Sequence, residues 1–387
     1  MDFSLSEEQK MFRAMFEDFS TNEIAPIAEE IDHEEMPPVD VLKKAACQGF
    51  LGATLPEEHF GASLDFVSYA LLIEALARDC VSVAVTLGTH ISLVAMSILD
   101  HGSDAQKEEF LPLLASGEAI GAFAMTEPDA GSDTTSLEAK AVVDGEGYVL
   151  DGVKTWVANG EIANAGMDTL FLVFAEAPGG ITAFLIPSDT SGLTVGYREP
   201  TLGLRSVPFH TLYLEGCRVP PANRLGDEGE GREIAERARQ RMAITLGAAA
   251  LGVSDNSVDV GAQFATERVQ FDVPIAEKQA IQNFIAESAV ETEALRYLVY
   301  HGAWQVDQGE DLAFDASVVK AFGARVARSV TDRMVQVMGG YGYMEDYPMA
   351  RKYRDARALG IIGGPTEVHN VLIAKNVFSA WEVEITP

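Results

Sequence analysis

The sequence predicts an α+β protein in three parts: an N-terminal helical domain over residues 1–120, a middle antiparallel β domain over 121–232 and a C-terminal four-helix bundle over 233–387. Two observations predict this order. The first and last thirds of the chain place apolar residues at helical spacing, whereas the middle third has short apolar runs broken by Gly, Asp and Pro. The length of 387 residues also exceeds the roughly 250–300 at which a single core usually splits.

Two capping boxes mark helix starts in the N-terminal third. Ser6 is followed three residues later by Gln9, and Ser103 is followed by Gln106. In this pattern the serine hydroxyl caps the helix while the glutamine side chain bonds back to the serine N–H. Apolar residues at helical spacing follow the first box. The sequence therefore predicts helices that begin just after Ser6 and Ser103.

Strands are predicted from Leu137 to Arg224, and helices are predicted from Glu233 onward. The strand-like runs read YVLDG, TLFLVFAE, ITAFLIP and TLYLEG, separated by turn-forming residues. After Glu233 the helical spacing returns in four long segments joined by loops with Gly or Pro, near 233–269, 277–308, 312–338 and 365–381. Four such segments predict an antiparallel bundle.

The net charge and the spacing of the cysteines indicate which partners and which cellular compartment to expect. The chain has 28 basic and 59 acidic residues, a net charge of −31. That charge repels a phosphate backbone and an anionic bilayer, so we expect no nucleic-acid partner and no membrane partner. Cys47, Cys80 and Cys217 show no paired spacing, which argues against a disulfide framework or a thiolate metal site. Since we see no apolar run of the ~18 residues that span a membrane, we expect a cytoplasmic protein.

Several common active-site motifs are absent from the sequence. It contains no HExxH, CxxC or GxSxG, and its histidines lack metal-ligand spacing, which argues against metal and serine hydrolase chemistry. The stretch GDEGEG, with Gly226, Gly229 and Gly231, is similar to a nucleotide loop. No βαβ unit surrounds it, so we interpret it as a surface turn.

Residues 359–370 read LGIIGGPTEVHN and place two glycines and a proline before an apolar helical pattern. Pro365 suits the first turn of a helix, so the sequence predicts a helix that begins near Pro365 or Thr366. A helix start has unpaired N–H groups that can hold an anion or the edge of a cofactor. An ordinary interhelical turn explains the same residues, and this stretch alone does not separate the two readings.

Four further stretches are candidates for a binding site. The segment FAMTEPDAGSD, residues 123–133, concentrates hydroxyls and turn residues that could face a polar cofactor or form a capped turn. In KTWVANG, residues 154–160, Trp156 could cover a planar ligand or lie in the core. The segments TERVQF (266–271) and QVMGGYGY (336–343) add an arginine and a glycine-rich turn on long helices. Each of these signals is weak on its own.

In this order and spacing, the four stretches together with RDAR and GGPTEVH resemble the acyl-CoA dehydrogenase family of flavoproteins. The resemblance covers essentially the whole chain, and the TEPDAGSD stretch matches the most specific motif of the family. GTHISL at 88–93 and YPMARKYRDAR at 347–357 are similar to the isovaleryl-CoA and short-chain branches. The resemblance implies that the three predicted parts form the acyl-CoA dehydrogenase fold.

The resemblance implies an FAD site shared between subunits. The residues expected to hold FAD are Phe123, Met125, Thr126, Gly131, Ser132, Trp156, Val157 and Ala158. Those expected to reach the FAD of an adjacent subunit are Arg268, Gln279, Gln336, Gly339 and Gly340. Phe271, Thr366 and Glu367 are further expected contacts of the cofactor. A homodimer or homotetramer follows from this sharing.

The resemblance also implies the reaction. In the family a base removes the α-proton of an acyl-CoA thioester, flavin N5 takes the β-hydride, and an electron-transfer flavoprotein reoxidises the cofactor. The residues expected to contact the substrate here are Ser132, Arg241, Gly363 and Gly364, with no metal ion involved.

The catalytic residue itself departs from the family pattern. The usual glutamate position is occupied by Gly363, and the position used by the isovaleryl-CoA branch is occupied by Met242. Ala158, Ala243 and Pro365 replace a Thr, an Arg and a Thr that are usual near the flavin or the substrate. The N–H of Gly363 can still polarise a thioester carbonyl, because backbone donors survive side-chain changes.

The leading expectation is therefore α,β-dehydrogenation of an acyl-CoA, with the catalytic base unknown. Two alternatives stay open at this point. One is a flavin reaction that needs no α-proton base, such as desulfination or enoyl reduction. The other is a non-catalytic partner subunit that binds FAD and acyl-CoA.

Overall fold

The computed structural model of the chain describes residues 4–160, 162 and 166–379. The N-terminal part of this described chain is helical, as predicted. Ser6 accepts a hydrogen bond from the N–H of Gln9, and Ser103 accepts one from Gln106, so both capping boxes are confirmed. The helices are α1 (Glu7–Phe19), α2 (Ala28–His33), α3 (Val39–Cys47), α4 (Phe66–Asp79), α5 (Val81–Gly88), α6 (Met96–His101) and α7 (Asp104–Ser116).

A π-helical segment, Thr89–Ala95, joins α5 to α6 into one continuous helix, Val81–His101. By length and composition this helix is apolar enough to cross a membrane, and 89% of its most apolar window is buried inside the protein. It packs against α4, against the long helix Gly231–Glu267 and against the strand Ala119–Ala124. Burial in the core accounts for its apolar character. An apolar run of this length is not evident in the sequence, because Thr, Ser, Gly and His residues interrupt its apolar positions.

The middle of the chain forms one mixed sheet. Its strands are β1 (Ala119–Ala124), β2 (Lys140–Asp144), β3 (Gly147–Val157), β4 (Asp168–Ala177), β5 (Gly180–Pro187), β6 (Leu193–Arg198), β7 (His210–Val219) and β8 (Arg224–Leu225). Their order is β6-β7-β3-β2-β4-β5-β8, with β1 also paired to β4. Strands β4 and β5 form an antiparallel hairpin. Strands β3 and β7 are also antiparallel neighbours, although three other strands lie between them along the chain.

The prediction of a purely antiparallel sheet is wrong at β4. Strand β1 runs parallel to β4, with Ala119 opposite Asp168 and Ala124 opposite Val173, and β2 meets β4 in parallel at Lys140 and Glu176. The cause is topological, because β1 and β4 are separated along the chain by two other strands and are not joined by a tight turn. Local strand patterns carry no information about such a non-local pairing.

The C-terminal part contains the four long helices that the sequence predicts. They are α8 (Gly231–Glu267), α9 (Gln279–Gln308), α10 (Ala313–Met338) and α13 (Thr366–Ser379). Residues 380 and 381 of the predicted last helix lie outside the described residues. Between the long helices lie the strands β9 (Val269–Gln270) and β10 (Val273–Pro274) and the short helices α11 (Gly340–Tyr343) and α12 (Pro348–Ala358).

The start of α8 refines the interpretation of GDEGEG. Gly226 and Gly229 have φ values of +68° and +93°, which fit the predicted turn. Gly231 is instead the first residue of α8 and is buried. A Cβ on Gly231 would lie 2.7 Å from the carbonyl oxygen of Ile181, so this glycine allows α8 to start directly against strand β5.

Candidate active site

A cavity of about 630 Å³ lies where the helical parts and the sheet meet. Its walls come from the π-helical segment after α5, the loop after β1, the end of β3, the first half of α8, and the loop between α12 and α13. Ten of the predicted site residues line it: Phe123, Met125, Thr126, Gly131, Ser132, Trp156, Ala158, Met242, Gly363 and Gly364. Residues far apart in the sequence are thus brought to one site.

A buried ion pair holds the loop after β1 against β3. Lys154 Nζ lies 2.5 Å from Glu127 Oε1 and donates to the carbonyl oxygen of Met125 at 3.2 Å. The carboxylate of Glu127 also accepts the N–H groups of Glu138, at 2.5 Å, and Ala139, at 3.0 Å. Burial lowers the pKa of Lys154, and the contact with Glu127 opposes that shift. The sequence did not indicate this pair, because Glu127 and Lys154 are 27 residues apart and lie on different elements.

Trp156 projects onto the cavity instead of into the core. It is 60% exposed, and its φ of +55° is uncommon for a bulky residue. The alternative of a core tryptophan is therefore wrong. Such strained backbone geometry clusters at binding sites, where surrounding structure holds it in place.

Val157, also predicted to contact the cofactor, is only 1% exposed. Its side chain belongs to the hydrophobic core of the sheet and does not line the cavity. The reason is the alternation of side chains along a strand, which directs the residue after Trp156 to the other face. Its predicted side-chain contact is therefore not supported by the structure.

The loop before α13 depends on two glycines and is held in place by a buried lysine. Gly363 and Gly364 have φ values of +67° and +96°, and α13 begins at Thr366, as predicted. Lys320 Nζ donates to the carbonyl oxygens of Leu359 at 2.6 Å and Gly364 at 3.1 Å. Burial lowers the pKa of Lys320 to about 7. The loop thus presents its glycine backbone to the cavity while a buried amine holds its carbonyl groups.

His369 is a second buried base behind the same loop. Its Nε2 lies 3.1 Å from the carbonyl oxygen of Gly363, so Nε2 carries the proton and donates it. The pKa of His369 is lowered to about 4, chiefly by burial and also by charge repulsion from Lys320 and Arg239, while the hydrogen bond to Gly363 opposes the shift. The imidazole is therefore neutral near pH 7. It does not line the cavity.

The described lining of the cavity contains no Asp, Glu, His, Lys, Cys or Tyr. Both positions at which the family resemblance places a glutamate, Gly363 and Met242, face this cavity. Threonine and serine hydroxyls, backbone groups and three arginines are its polar elements. Among the described residues no cluster of three or more His, Cys, Asp or Glu could hold a metal ion. The site thus offers hydrogen-bond donors and apolar surface but no carboxylate.

The assignment of Arg241 to the substrate is contradicted. Its side chain is 3% exposed, is paired with Asp100 and does not line the cavity. Arg239 and Met242 line the cavity instead. Helical geometry is the reason, because residues three apart on α8 share a face whereas Arg241 is rotated away from both. The sequence analysis did not consider Arg239.

A second cavity, of about 550 Å³, is lined by three of the residues expected to reach a neighbouring subunit. Arg268, Gly339 and Gly340 line it, and the guanidinium carbon of Arg268 lies 5.3 Å from the ring centroid of Tyr341. A Cβ on either glycine would meet no atom within 4 Å, so the space above them is open. This cavity shares no lining residue with the first.

Five other predicted FAD contacts lie outside both cavities. Phe271 is 88% exposed, and Gln279 and Gln336 are also exposed. Thr366 and Glu367 line a third cavity of about 420 Å³, which meets the first at Arg357, Ile361 and Pro365. A single chain therefore does not bring these five residues to Trp156.

The sequence matches the family models of the acyl-CoA dehydrogenases along most of its length. The N-terminal domain model matches residues 6–118, the middle domain model matches 122–217, and the C-terminal domain model matches 229–378.

Two curated relatives and one solved structure illustrate the similarity. An acryloyl-CoA reductase (NADH) of Anaerotignum propionicum is 37% identical over 97% of this chain and 96% of its own length. A short-chain specific acyl-CoA dehydrogenase of Clostridium acetobutylicum is 37% identical over 98% of this chain and 100% of its own. The solved butyryl-CoA dehydrogenase of Megasphaera elsdenii superposes with a TM-score of 0.94 at 34% identity, covering 98% of this chain and 100% of that one. The protein therefore belongs to the acyl-CoA dehydrogenase family.

Proposed function

We propose that the protein is an FAD-dependent oxidoreductase that introduces an α,β double bond into an acyl-CoA thioester. The observation that carries this proposal is the first cavity, in which Trp156, the loop 123–132 and the backbone of Gly363 face one another. Its apolar and polar walls suit a flat cofactor and a fatty acyl group together. Family membership supports the reaction class.

The residues present fit FAD, which is found in solved members of the family. The exposed indole of Trp156 can cover a planar ring, and Thr126 and Ser132 add hydroxyls to the same wall. Gly131 faces open space, because a Cβ there would meet no atom within 4 Å. FAD held by these residues would supply the acceptor for the hydride that leaves the β-carbon of the acyl group.

The chain itself would polarise and shield the thioester. The N–H of Gly363, held by the constrained glycine loop, can donate to the thioester oxygen, where negative charge develops when the α-proton leaves. Val85, Leu93 and Val368 form apolar wall around the acyl group and exclude water. The two family positions of the proton acceptor are occupied by Gly363 and Met242, so the α-proton would pass to a water molecule admitted with the substrate and not to a carboxylate of the lining.

Product analysis tests the reaction. The purified, yellow protein is incubated with a saturated acyl-CoA and an artificial electron acceptor, and the thioesters are then separated and weighed by mass spectrometry. We expect an enoyl-CoA that is two mass units lighter than the substrate, formed together with reduced acceptor. If enoyl-CoA is reduced by this protein while saturated acyl-CoA is never oxidised, the proposed direction is wrong.

We further propose that the FAD site is completed by a second copy of the chain in a homodimer or homotetramer. The supporting observation is the separation of Arg268, Gly339 and Gly340 from the Trp156 cavity within one chain. We also propose a cytoplasmic location. We propose an electron-transferring flavoprotein as the electron acceptor, because the reduced cofactor must be reoxidised for turnover.

Arg268→Ala is expected to weaken FAD binding by roughly 10- to 100-fold, the usual size of a lost charge-assisted hydrogen bond. The guanidinium is exposed and stands beside the open glycines, where a pyrophosphate of an adjacent subunit's FAD could be bound. The measurement is the FAD content per chain after dilution and gel filtration. Arg218→Ala, which removes an exposed arginine that pairs with Asp144 on the sheet, is the matched control. Unchanged FAD content in both variants would remove Arg268 from the site.

A further inference from the structure

An unneutralised arginine lies in the wall of the first cavity. Arg239 lines that wall together with Met242 and the Gly363–Gly364 loop, where apolar side chains predominate. We infer that the acyl group bound here carries its own anionic group, most simply a terminal carboxylate, and that Arg239 recognises it. This inference rests on the proposed function, since it names the substrate class for the same cavity.

The other two arginines of the cavity are accounted for. Arg354 is paired with Asp32, with 2.5 Å between Nη2 and Oδ2, and it also donates to the carbonyl oxygen of Leu202 at 3.2 Å. Arg357 is exposed and belongs to the rim that joins the first cavity to the third. Arg354 therefore already has an anionic partner, and Arg357 is exposed to solvent, so neither needs an anion from the ligand.

Arg239 differs in its surroundings. Its side chain is 23% exposed, and among the described residues the only carboxylate within 4 Å is Glu236, at 3.7 Å between Nη1 and Oε2. Glu236 is 48% exposed and does not line the cavity, and the separation is longer than a hydrogen bond. Glu236 therefore leaves most of the hydrogen-bond donors of the Arg239 guanidinium without an acceptor.

The guanidinium of Arg239 lies against the glycine loop that faces the cavity. Its Nη2 is 3.9 Å from where a Cβ would stand on Gly364, the residue after Gly363. An acyl group seated against the loop would therefore have a guanidinium within reach.

A neutral acyl chain would be a poor ligand for such a wall. It would displace water from the guanidinium and provide no hydrogen-bond acceptor in return, which carries a desolvation cost. A carboxylate would accept two parallel N–H bonds from the planar guanidinium. Because the described lining has no carboxylate, the complementary charge has to arrive with the ligand.

Two parts of an acyl-CoA could supply that charge: a carboxylate on the acyl group or the phosphates of CoA. The experiment separates them by comparing thioesters of CoA with thioesters of pantetheine, which lacks the phosphates. Glutaryl and valeryl thioesters form a matched pair, because their acyl chains have the same length and differ only in the terminal carboxylate. Binding is measured by the change in flavin absorbance of the FAD-loaded protein.

We expect wild type to bind glutaryl-CoA roughly 10- to 100-fold more tightly than valeryl-CoA, and to keep that preference with the pantetheine thioesters. Arg239→Leu should abolish the preference, and Arg239→Lys should retain part of it because the charge remains. Arg237→Leu is the control, since Arg237 lies two residues away on α8, outside the cavity, and pairs with Asp100. It should keep the wild-type preference.

The inference is overturned if wild type binds both CoA thioesters equally or prefers valeryl-CoA, a comparison that needs no variant to fold. It is also overturned if Arg239→Leu weakens both CoA thioesters alike and the pantetheine thioesters show no preference, because Arg239 would then bind a CoA phosphate. Protein that retains no FAD would contradict the proposed function itself. FAD-loaded protein that binds thioesters without discrimination contradicts only the inference.

Discussion

Met242→Glu is expected to raise the rate of α,β-dehydrogenation by roughly 10²- to 10⁴-fold, the usual contribution of a positioned general base. Met242 is 3% exposed and lines the first cavity from α8, so a glutamate there would face the acyl group. Desolvation would raise the pKa of that carboxylate above its value in water. A higher pKa makes it a stronger base for a weakly acidic C–H.

Met242→Gln is the matched control, because it has the same shape as the glutamate but cannot accept the α-proton as a carboxylate does. Both variants are compared with wild type by the steady-state yield of enoyl-CoA at equal FAD content. The prediction is wrong if the glutamine variant gains as much as the glutamate variant, or if neither exceeds wild type.

Gly363→Glu tests the other family position and is expected to gain less. Gly363 has φ of +67°, which a residue with a Cβ rarely adopts, so the substitution strains the backbone. A Cβ at this position would also lie 2.6 Å from Leu246 Cδ1, and Leu246 would have to move within a buried core. The structure therefore makes Met242 the better place to introduce a base, although the sequence pattern alone points first to Gly363.

Glu127→Ala is expected to cost roughly 3–5 kcal/mol of folding free energy, as is typical when one partner of a buried ion pair is removed. The change would leave the ammonium of Lys154 buried without its carboxylate and the N–H groups of Glu138 and Ala139 without their acceptor. For a region of this size the loss corresponds to a fall in Tm on the order of 10 °C. We also expect loss of FAD, since the pair holds the loop that includes Thr126.

The measurement is thermal unfolding followed by circular dichroism, with flavin fluorescence to report FAD release. The double variant Glu127→Ala/Lys154→Met should recover part of the loss, because it leaves no unpaired buried charge. A single variant that melts within a degree or two of wild type and keeps its FAD would show that the pair does not hold the loop.

The arrangement of the helices was predictable because it depends on local signals. Hydroxyl and glutamine pairs at Ser6 and Ser103 define helix starts, and the apolar period defines the long helices. The parallel pairing of β1 with β4 was not predictable in this way, because strand pairing across a long segment of chain leaves no local pattern. The buried pair of Glu127 and Lys154 was not predicted for a similar reason, because it joins the loop after β1 to β3, 27 residues further along the chain.

The candidate site was likewise predictable where local motifs mark its loops, and not where the direction of a side chain decides the contact. Ten of the residues that the resemblance names line one cavity, because the family motifs mark loops whose backbone forms the wall. Side-chain direction was harder to predict: Arg241 was chosen although Arg239 shares the cavity face with Met242. Val157 was chosen although its side chain belongs to the core of the sheet.

The central claim is that this is an acyl-CoA dehydrogenase site whose lining provides donors and apolar surface but no carboxylate base. Anaerobic single-turnover mixing of the FAD-loaded protein with an acyl-CoA tests it most directly, with flavin absorbance followed in time and enoyl-CoA measured at the end. The account predicts a prompt spectral change on binding, then slow bleaching in wild type and much faster bleaching in Met242→Glu, with enoyl-CoA equal to the FAD reduced. Rapid bleaching of wild type that Met242→Glu does not accelerate would contradict the claim, because an efficient base would then act from outside the lining.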